Sequence, residues 1–127
     1  MVDKHFVEGF EDFMKFVKDF KAEEKVVNIL FTGKKDEKGV SWCPDCNEAE
    51  PFIEDALDKY GEGTVLITVE VGDRTFWKDI NNPFRKDKDC HLSVIPTLVR
   101  WKHQQRLEGE QLLKPELLQM FFADEDD

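Results

Sequence analysis

The amino-acid sequence predicts an α/β fold in which one mixed β-sheet lies between layers of helices. Two apolar runs rich in β-branched residues, at 25–32 and 64–71, have the composition of buried strands. Segments with a helical spacing of apolar residues precede and separate them. Helix-separated strands pair in parallel, whereas two strands joined by a short loop pair antiparallel. At 127 residues we expect one domain, spanning residues 1–127.

The first helix is predicted by a single apolar stripe near the N-terminus. We expect it over about residues 10–22, after a short strand at 5–7. A charged loop at 33–39, bracketed by glycines, follows the first buried strand. The stripe recurs at intervals of three and four residues: Phe6, Phe10, Phe13, Val17 and Phe20.

The second helix begins at a close cysteine pair and keeps its apolar spacing as far as Tyr60, where Gly61 is a natural stop. The polar stretch that follows the second buried strand predicts one short helix. Asn82 is its N-cap, and Pro83 is its first residue.

The C-terminal part predicts a hairpin followed by a helix. Segments 96–101 and 104–108 are its two strands, and Pro115 opens the helix. Residues 124–127 form an acidic C-terminal tail.

The charge balance limits the kinds of partner. The chain has 28 acidic and 18 basic residues and a net charge of −10, which repels phosphate backbones and anionic lipids. No apolar run approaches the roughly 18 residues that a membrane span needs, and the N-terminus lacks the apolar core of a secretory signal. We therefore expect a protein kept inside the cell that binds neither nucleic acid nor membranes.

Cysteine usage narrows the chemistry. Cys43 and Cys46 are two residues apart, and Cys90 is alone, which is not the pattern of a secreted disulfide scaffold. In a reducing compartment such a close pair indicates either redox chemistry or a metal site.

The position of the pair favours redox chemistry. Pro44 is suited to the first helical position, so Cys43 falls at the N-cap. Its sulfur can accept hydrogen bonds from the free N–H groups of Asp45 and Cys46, which stabilise a thiolate together with the helix dipole. Cys43 is then the nucleophile, and the more buried Cys46 is the resolving cysteine.

Asp45 has two opposed effects on this site. Its carboxylate suits the first helical turn, but its negative charge disfavours a neighbouring thiolate. We therefore expect only a moderately lowered pKa for Cys43. A cysteine pair whose reduced form is not strongly stabilised is a better reductant than oxidant. This favours the reduction of other disulfides as the activity.

A zinc site is the alternative for a C-x-x-C pair. Zinc requires four ligands, usually two spaced pairs. The remaining candidates, Cys90 and His91, are adjacent and make a poor pair of ligands for one tetrahedral ion. We predict no metal.

Three motifs in order resemble the thioredoxin superfamily over essentially the whole chain. They are Trp42-Cys43-x-x-Cys46, Pro51 and the segment Val94-Ile95-Pro96-Thr97. The resemblance implies a thioredoxin-like three-layer sandwich. It also implies that Pro96 is cis and lies against the cysteine pair, and that the backbone of Ile95 pairs with an extended substrate. From the residues alone, a trans Pro96 that starts an edge strand remains the alternative.

Further details resemble a cytosolic branch of thioredoxin-related proteins. The resemblance implies a monomeric cytosolic disulfide reductase without a bound cofactor, reduced by thioredoxin reductase with electrons from NADPH. It implies selected protein disulfides and small disulfides as substrates, with peroxidase activity as a minor reaction. The residues that carry this resemblance are the charged insert before Ser41, the strand exit at 31–33, and the segments 77–79, 81–82 and 84–86.

Two features depart from the thioredoxin pattern. Thioredoxins keep a buried Asp on the strand before the active site, thought to help deprotonate the resolving cysteine, whereas residues 29–31 contain no carboxyl group. Asp45, a water or no group at all takes that role for Cys46. In addition, Pro44-Asp45 replaces the Gly-Pro dipeptide of thioredoxins.

Three other side chains are candidates for the site. We expect Trp42 to cover the reactive cysteine, and Trp77 to line the substrate groove while Phe76 packs beneath it. Cys90 beside His91 is either a second reactive thiol or, as we favour, a small buried hydrophobe.

A different class of function stays open at this stage. The chain is alternatively a thioredoxin-like binding or adaptor module whose cysteine pair only regulates partner docking. Partner binding that persists without the cysteines would distinguish this from a reductase.

Overall fold

The computed structural model describes residues 1–123 and confirms the predicted α/β architecture. The acidic tail at 124–127 lies outside the described residues. A 3₁₀ helix, Gly109–Leu113, precedes the last α-helix. In chain order the elements are β1 (Asp3–Glu8), α1 (Phe10–Asp19), β2 (Val27–Thr32), α2 (Pro44–Tyr60), β3 (Val65–Glu70), α3 (Arg74–Lys78), α4 (Pro83–Lys86), β4 (Thr97–Arg100), β5 (Arg106–Glu108) and α5 (Pro115–Ala123).

The strands form one mixed sheet in the order β1-β3-β2-β4-β5. β3 pairs in parallel with both β1 and β2, which the intervening helices allow. β4 runs antiparallel to β2 and to β5, with Leu30 opposite Leu98. The predicted hairpin and the mixed pairing are therefore confirmed.

The two faces of the sheet contribute to two separate hydrophobic clusters. Alternate side chains of β3 point to opposite faces, so Ile67 belongs to one cluster and Leu66 to the other. The first cluster includes Phe13 of α1 and also both cysteines of the pair, and the second is built on α2 and α5. This produces three layers, with the cysteine pair at the edge of the first cluster.

The first helix is shorter than predicted. It ends at Asp19 because Phe20 has an extended backbone, with φ −72° and ψ 132°. The Phe20 ring instead stacks on Phe16, with ring centroids 5.3 Å apart. The apolar stripe therefore continues beyond the helix because the aromatic ring still packs, although the backbone has left the helical conformation.

The polar stretch after β3 contains two short helices rather than one. The predicted cap is confirmed, since Asn82 Oδ1 accepts a hydrogen bond from Arg85 N at 3.2 Å and Pro83 opens α4. The additional helix, α3, begins after Asp73, whose carboxylate accepts from Phe76 N at 2.9 Å. Five residues are too few to produce a detectable apolar period, which is why the sequence analysis missed α3.

Among residues 1–123, no helix is both long enough and apolar enough to cross a membrane.

Candidate active site

The cysteine pair lies at the N-terminus of α2, as predicted. Cys43 is the N-cap, with φ −94° and ψ 105°, and Pro44 is the first helical residue. The Cys43 Sγ accepts a hydrogen bond from the Cys46 N–H at 3.2 Å, rather than from the N–H of Asp45 as well. The sulfur is bonded to the Cys46 side chain, which draws it towards the third helical amide rather than the second.

Cys43 and Cys46 are joined by a disulfide, with their Cα atoms 5.3 Å apart. They are 5% and 4% exposed, so in the disulfide form the two residues are almost equally buried. Both belong to the first hydrophobic cluster.

The segment around Pro96 lies against the cysteine pair. The Ile95–Pro96 peptide bond is cis, as the resemblance implied. The Cys43 Sγ lies 4.0 Å from the carbonyl oxygen of Ile95, across 52 residues of sequence. The tertiary structure thus brings the first and third sequence motifs into one site.

Trp42 is tethered beside the pair. Its indole Nε1 donates to the carbonyl oxygen of Gly72 at 2.9 Å, and its ring packs against the cluster that contains Cys43. Gly72 has φ +107°, a conformation that side chains disfavour, and lies two residues after the end of β3. The loop after β3 therefore fixes the tryptophan at the rim of the site.

The prediction for Trp77 is wrong. Trp77 is only 7% exposed, while Phe76 is 39% exposed, the reverse of what we expected. In the short helix α3 the two side chains point in different directions, and Trp77 turns into the core. The Arg85 guanidinium covers it, 3.9 Å from the ring centroid. Phe76 is therefore the aromatic side chain that this helix presents to solvent.

Two residues that the sequence analysis did not identify support the Cys43 backbone. The Ser41 hydroxyl donates to the Gly33 carbonyl at 2.9 Å and accepts from the Cys43 N–H at 3.1 Å. A Cβ on Gly33 would lie 2.8 Å from Ser41 Oγ and 2.9 Å from the Trp42 ring, so the close approach requires glycine. The contact spans a loop of eight residues and has no local sequence signal.

A cavity of about 170 Å³ adjoins Cys46 and Pro96. Its polar lining includes Lys35 and Glu50, whose Nζ and Oε2 atoms form an ion pair at 2.8 Å. Asp45, one of the alternatives for deprotonating Cys46, is exposed on the outer side of the helix. The lining is mainly apolar, but Lys35 and Glu50 supply polar groups, and the cavity is large enough for a water molecule beside Cys46.

Cys90 is fully buried, which confirms the interpretation as a small hydrophobe. Burial raises the pKa of the Cys90 thiol far above its ordinary value, and the nearby Asp87 carboxylate raises it further. Within residues 1–123, no group of three or more His, Cys, Asp or Glu side chains is arranged to hold a metal ion.

The fold and the site together define a thioredoxin-fold protein with a redox-type cysteine pair. The crystal structure of oxidised thioredoxin O1 from Arabidopsis thaliana superimposes with a TM-score of 0.59 at 17% identity, covering 96% of this chain and 99% of that chain. The solution structure of oxidised thioredoxin from Plasmodium falciparum gives a TM-score of 0.53 at 16% identity, covering 95% and 100%. At these identities the likeness establishes the fold.

The sequence comparisons specify the family. Residues 6–124 match the model of the family described as thioredoxin domain-containing protein 17-like, thioredoxin domain, and the chain belongs to this family. It is 44% identical to thioredoxin domain-containing protein 17 of Danio rerio and 39% identical to that of Homo sapiens, each over 94% of both chains. It is also 39% identical to the thioredoxin-like protein Clot of Arabidopsis thaliana, over 79% of this chain and 78% of the relative. Family membership and the Cys43–Cys46 pair support a thioredoxin-like redox role.

Proposed function

We propose that this protein is a protein-disulfide reductase that cycles between a Cys43/Cys46 dithiol and the disulfide. The observation that carries the proposal is the 3.2 Å hydrogen bond from the Cys46 N–H to the Cys43 Sγ at the N-cap of α2. A donor at this place lowers the energy of a thiolate relative to the neutral thiol, and the helix dipole adds to the effect. Cys43 is therefore the nucleophile.

In the first step, the Cys43 thiolate attacks one sulfur of the substrate disulfide. A new S–S bond joins Cys43 to the substrate as the substrate's own S–S bond breaks. The second substrate sulfur leaves as a thiolate and takes a proton from water. The product is a mixed disulfide, in which Cys43 still faces the carbonyl of Ile95.

In the second step, Cys46 resolves the mixed disulfide. Its proton passes to water in the cavity shared with Lys35 and Glu50. The Cys46 thiolate then attacks the Cys43 sulfur, which forms the protein disulfide and releases the substrate sulfur that was bonded to Cys43 as a thiolate. Two electrons have moved from the protein dithiol to the substrate disulfide.

Substrate selection depends on the surface around the pair. The backbone of Ile95 and the side chains of Trp42 and Pro96 form the surface on which an extended disulfide-containing segment docks. Phe76 replaces Trp77 as the aromatic candidate for this surface, because it is the exposed aromatic residue of α3. Selected protein disulfides and small disulfides are the proposed substrates.

Regeneration requires an external reductant, since the cycle leaves the protein oxidised. We assign this step to thioredoxin reductase, with electrons from NADPH, in the cytosol. Peroxide reduction through the same dithiol is a secondary activity.

The test is a coupled assay of NADPH oxidation with thioredoxin reductase and insulin or cystine as the disulfide. Cys43→Ser should abolish turnover and form no mixed disulfide. Cys46→Ser should also stop turnover but accumulate mixed disulfides through Cys43, visible by mass spectrometry under non-reducing conditions. Cys90→Ser is the matched control and should retain turnover.

Equal trapping by both variants of the pair would contradict these roles. The double variant that carries both Cys43→Ser and Cys46→Ser tests the alternative. If it keeps a stable partner while the native protein shows no turnover with thioredoxin reductase, the protein is an adaptor module.

A further inference from the structure

The side chain of Asn47 pairs with the backbone of Ser41 through two hydrogen bonds. The Ser41 N–H donates to Asn47 Oδ1 at 2.9 Å, and Asn47 Nδ2 donates to the Ser41 carbonyl at 2.8 Å. An amide side chain thus engages both backbone groups of one residue, as a neighbouring strand would. The pairing connects the end of the charged loop to the first turn of α2.

The pairing encloses the nucleophile. Cys43 lies between the two bonded residues, and its own N–H donates to the Ser41 hydroxyl at 3.1 Å. Its carbonyl accepts from the Asn47 N–H at 3.2 Å. Both sides of the Cys43 backbone are therefore bonded to residues that the Asn47 amide holds together.

We infer that Asn47 is a positioning residue that keeps the Cys43 sulfur within reach of the Cys46 N–H when the pair is reduced. The inference rests on the proposed reductase function, in which the reduced form carries the nucleophile. In the disulfide the S–S bond restrains the sulfur. After reduction that restraint is gone, and the position of the sulfur depends on the hydrogen bonds that hold the Cys43 backbone.

The chemistry of an amide suits this position. Asparagine supplies one acceptor and two donors without a charge, so it satisfies both backbone groups of Ser41. A carboxylate would accept from the Ser41 N–H but leave its carbonyl without that donor, and its negative charge would raise the pKa of Cys43. An apolar side chain would leave both backbone groups of the buried Ser41 without these hydrogen bonds.

The consequence is a pKa effect on Cys43. A sulfur that samples positions away from the helix N-terminus loses part of the hydrogen bond that favours its thiolate, so its pKa rises. The charged residues on the elements around the motif include Asp45 and Glu50 on α2, Lys34 and Lys35 after β2, Glu70 at the end of β3 and Asp73 after it. Substitutions of Asn47 leave these residues unchanged, so their effect on the pKa of Cys43 is the same in every alkylation profile that is compared.

The test measures the rate of iodoacetamide alkylation of Cys43 against pH in the reduced full-length protein. Asn47→Ala should shift the profile to higher pH by about 0.5 to 1 unit. Alkylation below the pKa should therefore be about 3- to 10-fold slower than in the native protein. Well above the pKa the rates of variant and native protein should converge. Asn47→Leu, whose side chain is close to that of asparagine in size, should shift the profile in the same direction as Asn47→Ala. Asn81→Ala, the same change at an exposed asparagine between α3 and α4, should leave the profile unchanged.

A native profile in folded Asn47→Ala or Asn47→Leu, with folding verified by circular dichroism, would overturn the inference. Unfolding of both variants would overturn it as well, because the amide would then be a requirement of the fold rather than of the sulfur. The alkylation profile needs neither substrate nor thioredoxin reductase. A native protein that fails in the coupled assay but shows the displaced Asn47 profiles would therefore refute the reductase and leave the positioning role intact.

Discussion

Cys43 and Cys90 occupy two turns that use free backbone N–H groups in opposite ways. At the start of α2, the sulfur of Cys43 accepts the Cys46 N–H itself. In the turn after α4, the carboxylate of Asp87 accepts the N–H groups of Asp89 and Cys90, at 3.0 Å and 2.9 Å. The first turn directs positive partial charge at a sulfur, and the second directs it at a carboxylate.

Both residues are cysteines, so the difference between them lies in what faces each sulfur. Both cysteines are nearly or fully excluded from solvent, at 5% and 0% exposure, so burial alone does not separate them. Cys43 has an amide donor and lies at the edge of its cluster beside a loop. Cys90 is buried and lies near the negatively charged Asp87, and both of these raise the pKa of its thiol.

The largest predicted effect is the difference in alkylation rate between the two thiols. In the reduced native protein at pH 7, iodoacetamide should modify Cys43 about 100-fold faster than Cys90 or more, because the thiolate is the reactive form. Mass spectrometry of peptides after timed quenching measures both rates in one sample. In guanidinium chloride the two rates should approach each other. Comparable rates in the native protein would contradict the comparison.

A second prediction concerns the close packing around Cys43. Gly33→Ala places a methyl group within 2.8 Å of Ser41 Oγ and 3.0 Å of the Cys43 Cβ, so the two ends of the loop must separate. We expect the free energy of unfolding to fall by about 1–3 kcal/mol, measured by urea titration. Turnover in the coupled assay should fall too, while Cys90 stays unreactive.

The matched control for this change is Val40→Ala in the same loop. Val40 is 51% exposed, so its truncation should change stability by less than about 0.5 kcal/mol. A Gly33→Ala variant as stable as this control would mean that the loops accommodate the methyl group without strain.

A third prediction follows from the raised pKa of Cys90. The folded protein retains the Cys90 proton at pH values where the unfolded chain loses it, so this contribution to stability is fully present below the ordinary value of 9.0. As pH rises above that value, the free energy of unfolding should fall with a limiting slope of about 1.4 kcal/mol per pH unit. Parallel stability curves for native protein and Cys90→Ala between pH 8 and about pH 10 would refute this.

The smallest predicted effect tests the opposing charge of Asp45. Asp45 is exposed on the first turn of α2, so its carboxylate acts on Cys43 mostly through solvent. Asp45→Asn should lower the pKa of Cys43 and speed its alkylation at pH 6 about twofold. High salt screens the charge and should reduce the difference. A difference that persists at 1 M salt would indicate a structural rather than an electrostatic effect.

The sequence analysis predicted local structure well where a signal repeats or a cap is specific. The two buried strands, the α2 boundary at Gly61 and the cap at Asn82 all follow from short-range chemistry. The end of α1 at Asp19 and the presence of α3 do not, because aromatic packing continues beyond one helix and the other is too short to show a period.

The site was predictable to the extent that its parts are contiguous. The position of Cys43 at the N-cap follows from Pro44 and the helix that begins there. Trp77 packs in the first hydrophobic cluster beneath the Arg85 guanidinium, and no pattern near Trp77 in the sequence specifies those contacts.

By itself, the sequence determined the fold class, the cysteine pair and the helix that starts between its two sulfurs, since hydrophobic period, capping and proline geometry act over a few residues. Only the tertiary structure decided what surrounds those sulfurs. The Ile95 carbonyl, the Gly72 tether of Trp42 and the Ser41 bridge to Gly33 come from chain segments eight to 52 residues apart. Their approach depends on how the sheet closes and the loops pack, which no local pattern specifies.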